Sequence, residues 1–519
     1  MSGILDLRQL SAKRFDIDGL HADRIDAIGL ALSKSASFDR IEIKDQVDLT
    51  NARIGCLLAM RAAAIGDDLY FGNADIRGLD LSGTTVVDAL FLDGTFIRGD
   101  LTALGGAFSN CECSAKILGS VRITDATFNV ARFVDIRVQK GVYFNRNAVS
   151  GTLTIESRGT VMATVGERCT FGGTRIGGQI LIRDIEIKGQ LSMVSLTATD
   201  IIFRNVRIGK EMNLTGASAT LGMTLRSCVV GLSVDLQSIS TTSLNVSESS
   251  CESISAEGAN IKGSATFESV DLLDLSAVHA QINATLKLSG ARIARSLDLS
   301  RAEVGNLEFG SDLEDPPETY SFPKRVVLRN CKYGSLQGQW RTLLARLEGA
   351  TAYDSTAYLA LEDFMRSRGR SDWADSVYLS SKTHAAKMLQ SGAKRFAQSV
   401  LEWISGYGAR PFRLLRAFAI IVATVAFILF VTPQLYPRLL IHSREPFGVL
   451  LMRACFTTLD VLVKGDRSAI FTQASGARSS MALQAILDVV AILRYTALAV
   501  FTLWLAYITG LVRYVGTRG

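Results

Sequence analysis

The chain has 519 residues, of which 48% are hydrophobic, only 8% are aromatic and 20% are charged, with a net charge of +6. This composition excludes a disordered chain, and 44 glycines against 7 prolines exclude collagen. The eight cysteines form no Cys-x-x-Cys pair and the four histidines do not cluster, so we expect neither a disulfide framework nor a metal site. Because HExxH and GxSxG motifs are also absent, we predict no catalytic residues and no cofactor.

The prolines are unevenly distributed along the chain. All seven lie at Pro316 or later, and all four tryptophans lie at Trp340 or later. Proline lacks a backbone donor, so roughly 300 residues without one are typical of continuously hydrogen-bonded strands. We therefore place a domain boundary near residue 312.

A short phrase, approximately Ala-x-Ile/Val-x-Gly-x-Leu-x-Leu, recurs between residues 41 and 310. Its branched residue recurs every eleven positions, at Ile54, Ile65, Ile76 and Val87, and apolar residues alternate within each copy. Alternation indicates strands, and the intervening glycines indicate turns. Because one such strand cannot bury its own apolar face, we predict a right-handed β-solenoid of roughly a dozen coils, with about 21–22 residues per coil. A β-sandwich or a propeller is the alternative, but both have longer strands and bulkier cores.

The repeat resembles those of pentapeptide-repeat proteins, whose Ala-x-Leu-x-x phrases wind a narrow β-helix. We assign residues 39–311 to the solenoid. Residues 1–38 are predicted to be an N-terminal cap, in which an amphipathic helix over residues 19–33 covers the first coil.

A helical connector is predicted over residues 312–410. After Pro323 the apolar spacing changes to about 3.6 residues, which is typical of helices. Gly369 indicates a helix end, followed by a helix from Asp372 toward Met388 and another over residues 394–404.

Residues 411–519 are predicted to form a two-span membrane domain. Residues 417–437 contain no charge over 21 positions, and residues 495–512 contain none over 18. Helices of this length cross a hydrocarbon core of about 30 Å. The N-terminus lacks the apolar run of a signal peptide, so we expect both chain ends in the cytoplasm of a bacterial cell, with the spans in its inner membrane. Basic residues flank the spans at Lys394, Arg395, Arg410, Arg413, Arg416, Arg513 and Arg518.

The segment between the spans resembles the filter region of two-span potassium-channel-like proteins. The matching residues are Phe456, Thr457, Thr458 and Leu459, and the predicted pore region continues through Asp460, Lys464, Gly465 and Asp466. The Gly-Tyr-Gly of those filters does not follow, so the resemblance implies a pore without the carbonyl row needed for potassium selectivity. In the second span, Asp488 and Arg494 are predicted to face the pore, a neighbouring helix or the membrane edge. Alternatively, Asp488 lies in the outer headgroup zone.

Residues 356–416, including Gly406-Tyr407-Gly408 and Arg410-Pro411, look like the connector of bacterial proteins that join a pentapeptide-like repeat domain to an ion-channel-like module. Two helices cannot enclose a water column, so a pore requires several subunits. The resemblance to channels implies that there are four identical subunits.

Charge is uneven along the solenoid. Residues 122–210 carry thirteen Lys/Arg against seven Asp/Glu, whereas residues 211–274 carry two against eight. The basic half is predicted to bind an anionic ligand such as a nucleotide or oligonucleotide, with Phe133, Tyr143, Phe144 and Phe203 available for stacking. Its candidate ligand-binding residues are Arg132, Arg137, Lys140, Arg146, Arg204, Arg207 and Lys210. An ordinary solvated face is the alternative.

Together these features predict a ligand-gated homotetrameric channel that passes ions across the lipid bilayer. Its cytosolic solenoid would sense an anionic ligand made by a partner enzyme. The architecture resembles membrane effectors of bacterial antiviral defence, which implies a role in depolarising the membrane. The alternatives are a membrane-anchored interaction scaffold without channel activity and a mechanosensitive channel with a passive solenoid.

Overall fold

The computed structural model describes residues 3–309, 323–338, 340–350 and 353–388, together with isolated positions between 416 and 502. The chain divides into two compact units, residues 1–368 and residues 369–519. The described part of the first unit contains 43 short strands and two helices, and all pairings between these strands are parallel. The predicted β-solenoid is therefore confirmed, with about 15 turns rather than a dozen.

The strands are numbered in chain order. Those before residue 100 are β1 (Ile4–Asp6), β2 (Ser11–Ala12), β3 (Phe15–Asp18), β4 (His21–Ala22), β5 (Arg24–Asp26), β6 (Ala31–Leu32), β7 (Ala36–Asp39), β8 (Glu42–Ile43), β9 (Val47–Asp48), β10 (Arg53–Ala59), β11 (Ala64–Ile65), β12 (Leu69–Tyr70), β13 (Asp75–Asp80) and β14 (Thr85–Ile97). The next are β15 (Leu101–Leu104), β16 (Ala107–Ile117), β17 (Val121–Thr124), β18 (Thr127–Val134), β19 (Arg137–Val138), β20 (Val142–Asn145), β21 (Ala148–Val149), β22 (Leu153–Glu156), β23 (Ala163–Val165), β24 (Cys169–Thr170), β25 (Arg175–Ile176), β26 (Gln179–Ile187), β27 (Leu191–Ser192) and β28 (Thr197–Ile208). The remainder are β29 (Met212–Asn213), β30 (Ser218–Arg226), β31 (Val229–Val230), β32 (Ser233–Asp235), β33 (Ser240–Thr241), β34 (Leu244–Ser247), β35 (Ser253–Ser255), β36 (Asn260–Ile261), β37 (Ala265–Glu268), β38 (Asp271–Ser276), β39 (Gln281–Lys287), β40 (Arg292–Asp298), β41 (Glu303–Glu308), β42 (Arg325–Val327) and β43 (Lys332–Gln337).

In the middle of the solenoid a typical coil buries four pairs of side chains, and one residue separates the two members of each pair. In one coil the pairs are Val47 with Leu49, Ala52 with Ile54, Leu58 with Met60, and Ala63 with Ile65. The repeat of the sequence is thus half a coil, because Ile54 is in register with Ile76 of the next coil and not with Ile65. The narrow core holds mainly aliphatic side chains, with a row of phenylalanines such as Phe108 and Phe128, whose ring centroids are 5.5 Å apart.

The coils stack into four parallel ladders that run the length of the solenoid. The first ladder passes through Ile180, Ile201 and Met223, the second through Ile187, Ile208 and Val230, the third through Leu191, Met212 and Val234, and the fourth through Arg175, Thr197 and Ser218. Successive coils are about 4.8 Å apart along each ladder.

Left-handed corner residues turn the chain in most half coils. Asn51, Ala62 and Asn73, one half coil apart, have φ of 59°, 51° and 52°. Asparagine tolerates this conformation and glycine adopts it freely, which explains why small and polar residues recur at these positions. Gly173, with φ of 66°, is such a corner, so the glycine-rich stretch around it is turn structure, as the sequence indicates.

One coil carries an insertion in the described residues. Val138 is in register with Val165, and the chain between them is longer than in neighbouring coils because residues 157–162 form a loop in place of a single corner residue. The carboxylate of Asp135 holds this loop by accepting hydrogen bonds from the Ser157 hydroxyl (2.6 Å) and the Arg158 backbone N–H (2.9 Å).

Two details of the sequence prediction are wrong within the solenoid. Residues 19–33 form strands of the first coils rather than a capping helix, because their apolar residues, including Ile25 and Leu30, follow the coil spacing and are buried. Val87 is 57% exposed and Val86 is buried instead, because the preceding half coil is one residue shorter.

The solenoid also continues beyond the predicted boundary at residue 311. Strands β42 and β43 extend the ladders to Gln337, after the predicted boundary and the first prolines. Their pairing with β40 and β41 shows that the last described coil of the solenoid lies after the predicted boundary.

Helices follow the last coil, as predicted. They are α1 (Trp340–Glu348), α2 (Ser355–Ser367) and α3 (Ser371–Met388). In the first unit, α1 contacts β42 and α2 contacts β43. The Phe364 ring lies 6.1 Å from that of Tyr333, and the Asn330 N–H donates to the Thr356 hydroxyl at 2.9 Å. Gly369, with φ of 72°, follows the end of α2, as the sequence predicts.

The predicted helix over residues 394–404 and the pore region lie outside the described residues, as do Asp488 and Arg494. The two predicted spans lie outside them except for isolated positions. In the part of the chain that the structure describes, no helix combines the length and the hydropathy required to cross a bilayer.

Candidate anion-binding site

The structure places the seven candidate ligand-binding residues at four kinds of position. Arg132 and Arg204 project outward from the first ladder, Arg137 and Arg207 lie on the second ladder, and Arg146 is a corner residue with φ of 55°. Lys140 and Lys210 follow the second ladder, at the turn toward the third. The seven residues differ in whether neighbouring carboxylates neutralise their charges.

Two of the seven are held by carboxylates. Arg146 donates two hydrogen bonds to Asp125, at 2.8 and 2.6 Å, and this pairing holds the pKa of the Asp125 carboxyl below its ordinary value. Arg132 lies 3.2 Å from a carboxylate oxygen of Glu112 and 3.8 Å from one of Glu156. These two arginines therefore form ion pairs between neighbouring coils.

The predicted aromatic contacts are mostly in the core. Phe133, Phe144 and Phe203 are at most 3% exposed, and their neighbours are other apolar side chains inside the coils. These three rings cannot stack on a ligand, and only Tyr143 projects outward, on the third ladder. The sequence prediction failed here because strand alternation places every second residue inside.

The strongest concentration of positive charge lies where the first ladder meets the second. Arg204 is the last outward residue of the first ladder, Asn205 is the corner with φ of 51°, and Arg207 is the first outward residue of the second ladder. Arg183 and Arg226 are the register partners of Arg204 on the two adjacent coils. We call these four residues, Arg183, Arg204, Arg207 and Arg226, the arginine edge.

Three arginines in register are electrostatically unfavourable. Like charges directly opposite one another destabilise a pair of strands. Two unit charges about 5 Å apart repel by about 1 kcal/mol in bulk water and by more near a protein surface. The repulsion is only partly neutralised, because Glu156 contacts Arg183 at 2.7 Å and Glu248 contacts Arg226 at 3.2 Å, whereas Arg204 forms no ion pair among the described residues.

Further polar groups shape the edge. Asp184 accepts a hydrogen bond from the Asn205 amide at 2.7 Å and lies 3.4 Å from Nε of Arg183. Ser227 donates to Glu248 at 2.8 Å, and together with Arg226 it holds the pKa of Glu248 below its ordinary value. The edge therefore contains carboxylates as well as guanidiniums, and Arg204 and Arg207 are its cations without a carboxylate contact in the described structure.

The insertion loop joins this edge at its N-terminal end. Glu156 immediately precedes the loop, its side chain is 8% exposed, and Arg158 of the loop approaches it at 3.3 Å. In solenoids, insertions into a repeat form loops on one face, which is often the binding face.

Sequence reasoning missed Arg158, Arg183 and Arg226. Arg183, Arg204 and Arg226 follow one another at the coil period, so the sequence already contains the signal. It is visible only when residues are compared one coil apart rather than along the local sequence.

The other predicted cations lie farther away. Arg137 is separated from Arg207 on the second ladder by Thr164 and Glu186, three coil steps or about 14 Å. Lys140 and Lys210 are separated by Glu167 and Gly189 at the following turn. The exposed side chains of Arg137, Lys140 and Lys210 form a sparser extension of the arginine edge.

Two further clusters, a pair of cysteines and a group of three aspartates, lie outside the arginine edge. Cys111 and Cys113 are buried in one strand, and burial raises the pKa of Cys111 to about 12, which keeps its thiol neutral. The two cysteines therefore act as small core residues. The carboxylates of Asp67, Asp68 and Asp88 lie within 4.8 Å of one another, and desolvation, together with their proximity, raises the pKa of Asp67.

The fold and the edge define a β-solenoid protein with a basic surface strip. Comparisons of the chain with protein-family models, with curated proteins and with solved structures find no match.

Proposed function

We propose that the chain is a ligand-gated membrane channel whose solenoid binds an anionic ligand at the arginine edge. The proposal is supported by the combination, in one chain, of a solenoid that carries a row of arginines and a C-terminal sequence with two uncharged apolar runs. Arg204 is an exposed arginine without an ion pair among the described residues, and it lies between two other arginines in register. Uncharged apolar runs at residues 417–437 and 495–512 flank a filter-like segment.

Ligand binding at the edge would be favoured by relief of repulsion between in-register guanidiniums. A ligand changes a conformational equilibrium only by its difference in affinity for the two states. Gating therefore requires that the arginines of the edge are arranged differently in the open and closed states, so that the ligand binds one state more tightly. A homotetramer supplies the ring of helices that a water-filled pore needs. In a bacterial cell, opening such a pore would depolarise the inner membrane, which fits a role in antiviral defence.

The experiment is electrical recording from the purified full-length protein in planar bilayers. We expect unitary currents that respond to an added anionic ligand. Replacing Asp460 by Asn or Lys464 by Gln should change the conductance or the ion preference, because charge at a constriction sets which ions enter.

A membrane-anchored scaffold predicts a different outcome. It would give no unitary currents under any condition, and substitutions at Asp460 and Lys464 would have no electrical effect. Membrane extraction and cross-linking of the same protein would test the predicted bilayer localisation and the four-subunit ring.

A further inference from the structure

The outward residues at the end of the first ladder form a straight row. Glu156, Arg183, Arg204 and Arg226 occupy equivalent positions on four successive coils. Adjacent positions are about 4.8 Å apart, so the three arginines span about 10 Å parallel to the solenoid axis. The β-sheet thus fixes the spacing of the three backbone positions from which the guanidinium groups project.

These guanidiniums retain donors for a ligand. An arginine side chain carries five N–H donors. Arg183 uses Nη2 to bond Glu156 at 2.7 Å, while its Nε is buried and makes no hydrogen bond, although the Asp184 carboxylate is 3.4 Å away. Arg226 bonds Glu248 through Nη2 at 3.2 Å. Arg204 has no side-chain hydrogen bond among the described residues, so its donors are available to a ligand.

The surface beside the row is partly apolar. Leu181 and Ile202 are the outward residues two positions before Arg183 and Arg204, and both are half-buried. Thr154 and Thr224 continue the same column on either side. A ligand bound to the arginines would therefore contact two aliphatic side chains flanked by hydroxyl groups.

We infer that the arginine edge binds an oligophosphate lengthwise, with its phosphate groups lying along the row formed by Arg183, Arg204 and Arg226. The inference rests on the proposed function, because it names the ligand class of the proposed sensor. Guanidinium groups bind phosphate oxygens through paired N–H donors, and three of them in line favour a ligand with several phosphates over one with a single phosphate. Nucleoside polyphosphates, inorganic polyphosphates and short oligonucleotides share this chemistry.

The test measures equilibrium binding to the full-length protein in nanodiscs by calorimetry. The probes are orthophosphate, pyrophosphate, tripolyphosphate, ATP and a trinucleotide, each at one fixed salt concentration. Affinity should increase from orthophosphate to tripolyphosphate, and Arg204→Ala should weaken tripolyphosphate binding by about tenfold or more. Arg204→Lys should bind with intermediate affinity, since it keeps the charge but loses the paired donors.

Arg175→Ala is the matched control. Arg175 is an exposed arginine one strand before Arg183, on the fourth ladder. Its replacement removes the same charge from the solenoid without touching the edge, so tripolyphosphate affinity should stay within about twofold of the parent. The thermal midpoint of Arg204→Ala without ligand should equal or exceed that of the parent, because a repelling charge is removed.

Two results would overturn the inference. One is equal affinity for orthophosphate and tripolyphosphate. The other is an equal loss of tripolyphosphate affinity in Arg204→Ala and Arg175→Ala. Equal binding of ATP and tripolyphosphate would support recognition of the phosphate chain alone. Tighter binding of ATP or the trinucleotide, reversed by Ile202→Ala, would support added contact with the base.

The channel and the binding site fail separately. If binding increases with the number of phosphates and requires Arg204, but no current is recorded, the binding site is supported and the channel is rejected. If ligand-dependent currents are recorded and are unchanged in Arg204→Ala, the channel is supported and the binding site at the arginine edge is rejected.

Discussion

The inward residue after a left-handed corner is small in many coils, as at Ala52, Ala63 and Ala74. In several coils it is instead polar and bonds to the preceding coil. Thr174 donates to the carbonyl of Phe144 at 2.8 Å, and Asn147 donates to the carbonyl of Ile123 at 3.0 Å. Such a side chain connects two neighbouring coils inside the core.

Asn147 is expected to stabilise this connection most, because its amide makes two backbone hydrogen bonds. Besides its bond to Ile123, its Oδ1 accepts from the Ala126 N–H at 2.8 Å, and the residue is 1% exposed. Asn147→Ala leaves two buried backbone groups without partners, so we predict a loss of about 2–4 kcal/mol in the free energy of unfolding.

Urea unfolding followed by circular dichroism measures this loss. Asn245→Ala, at an exposed outward position of the first ladder, is the control and should change stability by less than about 0.5 kcal/mol. Equal losses in the two variants would contradict the assigned role of Asn147.

Glycine at one turn is required by close packing rather than by its backbone angles. A Cβ on Gly189 would overlap the carbonyl oxygen of Glu167 on the preceding coil. The phrase Ile187-Lys188-Gly189 is recognisable in the sequence, but the physical reason for its glycine becomes clear only from the stacked coils.

Local residue patterns predict which side chains face inward better than they predict which outward residues meet. The alternation correctly places Ile54, Ile65 and Ile76 inside. The neighbours of Arg132 and Arg146 instead depend on register between coils, and the lengths of the coils vary. A one-residue error in a coil length changes every cross-coil neighbour.

At the scale of elements, the sequence predicts the helices after the last coil correctly, whereas it predicts a helix over residues 19–33 where the structure has strands. Leu343, Leu347 and Leu361 repeat at helical spacing and are buried in α1 and α2. Residues 19–33 have apolar positions compatible with either a helix or a short coil, and pairing with the next coil decides in favour of strands. The pore prediction falls on residues outside the described structure and stays a prediction.

The insertion loop is an element that we expect the solenoid not to need for folding. Residues 157–162 replace one corner residue, and their polar contacts are mainly with Asp135 and Glu156. Deleting residues 158–162 leaves Ser157 as the corner and restores the coil length found in neighbouring coils. We predict that the thermal midpoint changes by less than about 3 °C.

Deletion of residues 200–204 is the matched control for the loop. It removes an equally long segment from the middle of β28, shifts the register of the ladder and should unfold part of the solenoid. Both variants can be compared by differential scanning calorimetry. A large loss of stability from the loop deletion would show that the loop supports the core.

Across the whole molecule, ion pairs connect neighbouring coils. Arg146 bonds Asp125, and Arg295 bonds Asp274, in each case from one coil to the one before. Hydrogen bonds from the arginines hold the pKa values of both aspartates below the ordinary value. A carboxyl whose pKa is lowered by folding contributes stability above its unfolded pKa, and this contribution is lost as the pH falls through the folded value.

Acid should therefore destabilise the solenoid. We predict a nearly constant thermal midpoint from pH 7 to about pH 5 and a decrease below about pH 4, where carboxyl groups with ordinary pKa values become protonated. Asp274→Asn should reduce the slope of this decrease, whereas Glu257→Gln, at an exposed position without an ion pair among the described residues, should leave it unchanged. An equal slope in the parent and Asp274→Asn would contradict the role assigned to that pair.

Because neighbouring coils repeat the same four ladders, a whole coil can in principle be duplicated or removed at equivalent corners without altering the shape of those that remain. Each added coil would lengthen the rod by about 4.8 Å. The number of coils after Arg226 therefore sets the distance from the arginine edge to α1 at the end of the last coil.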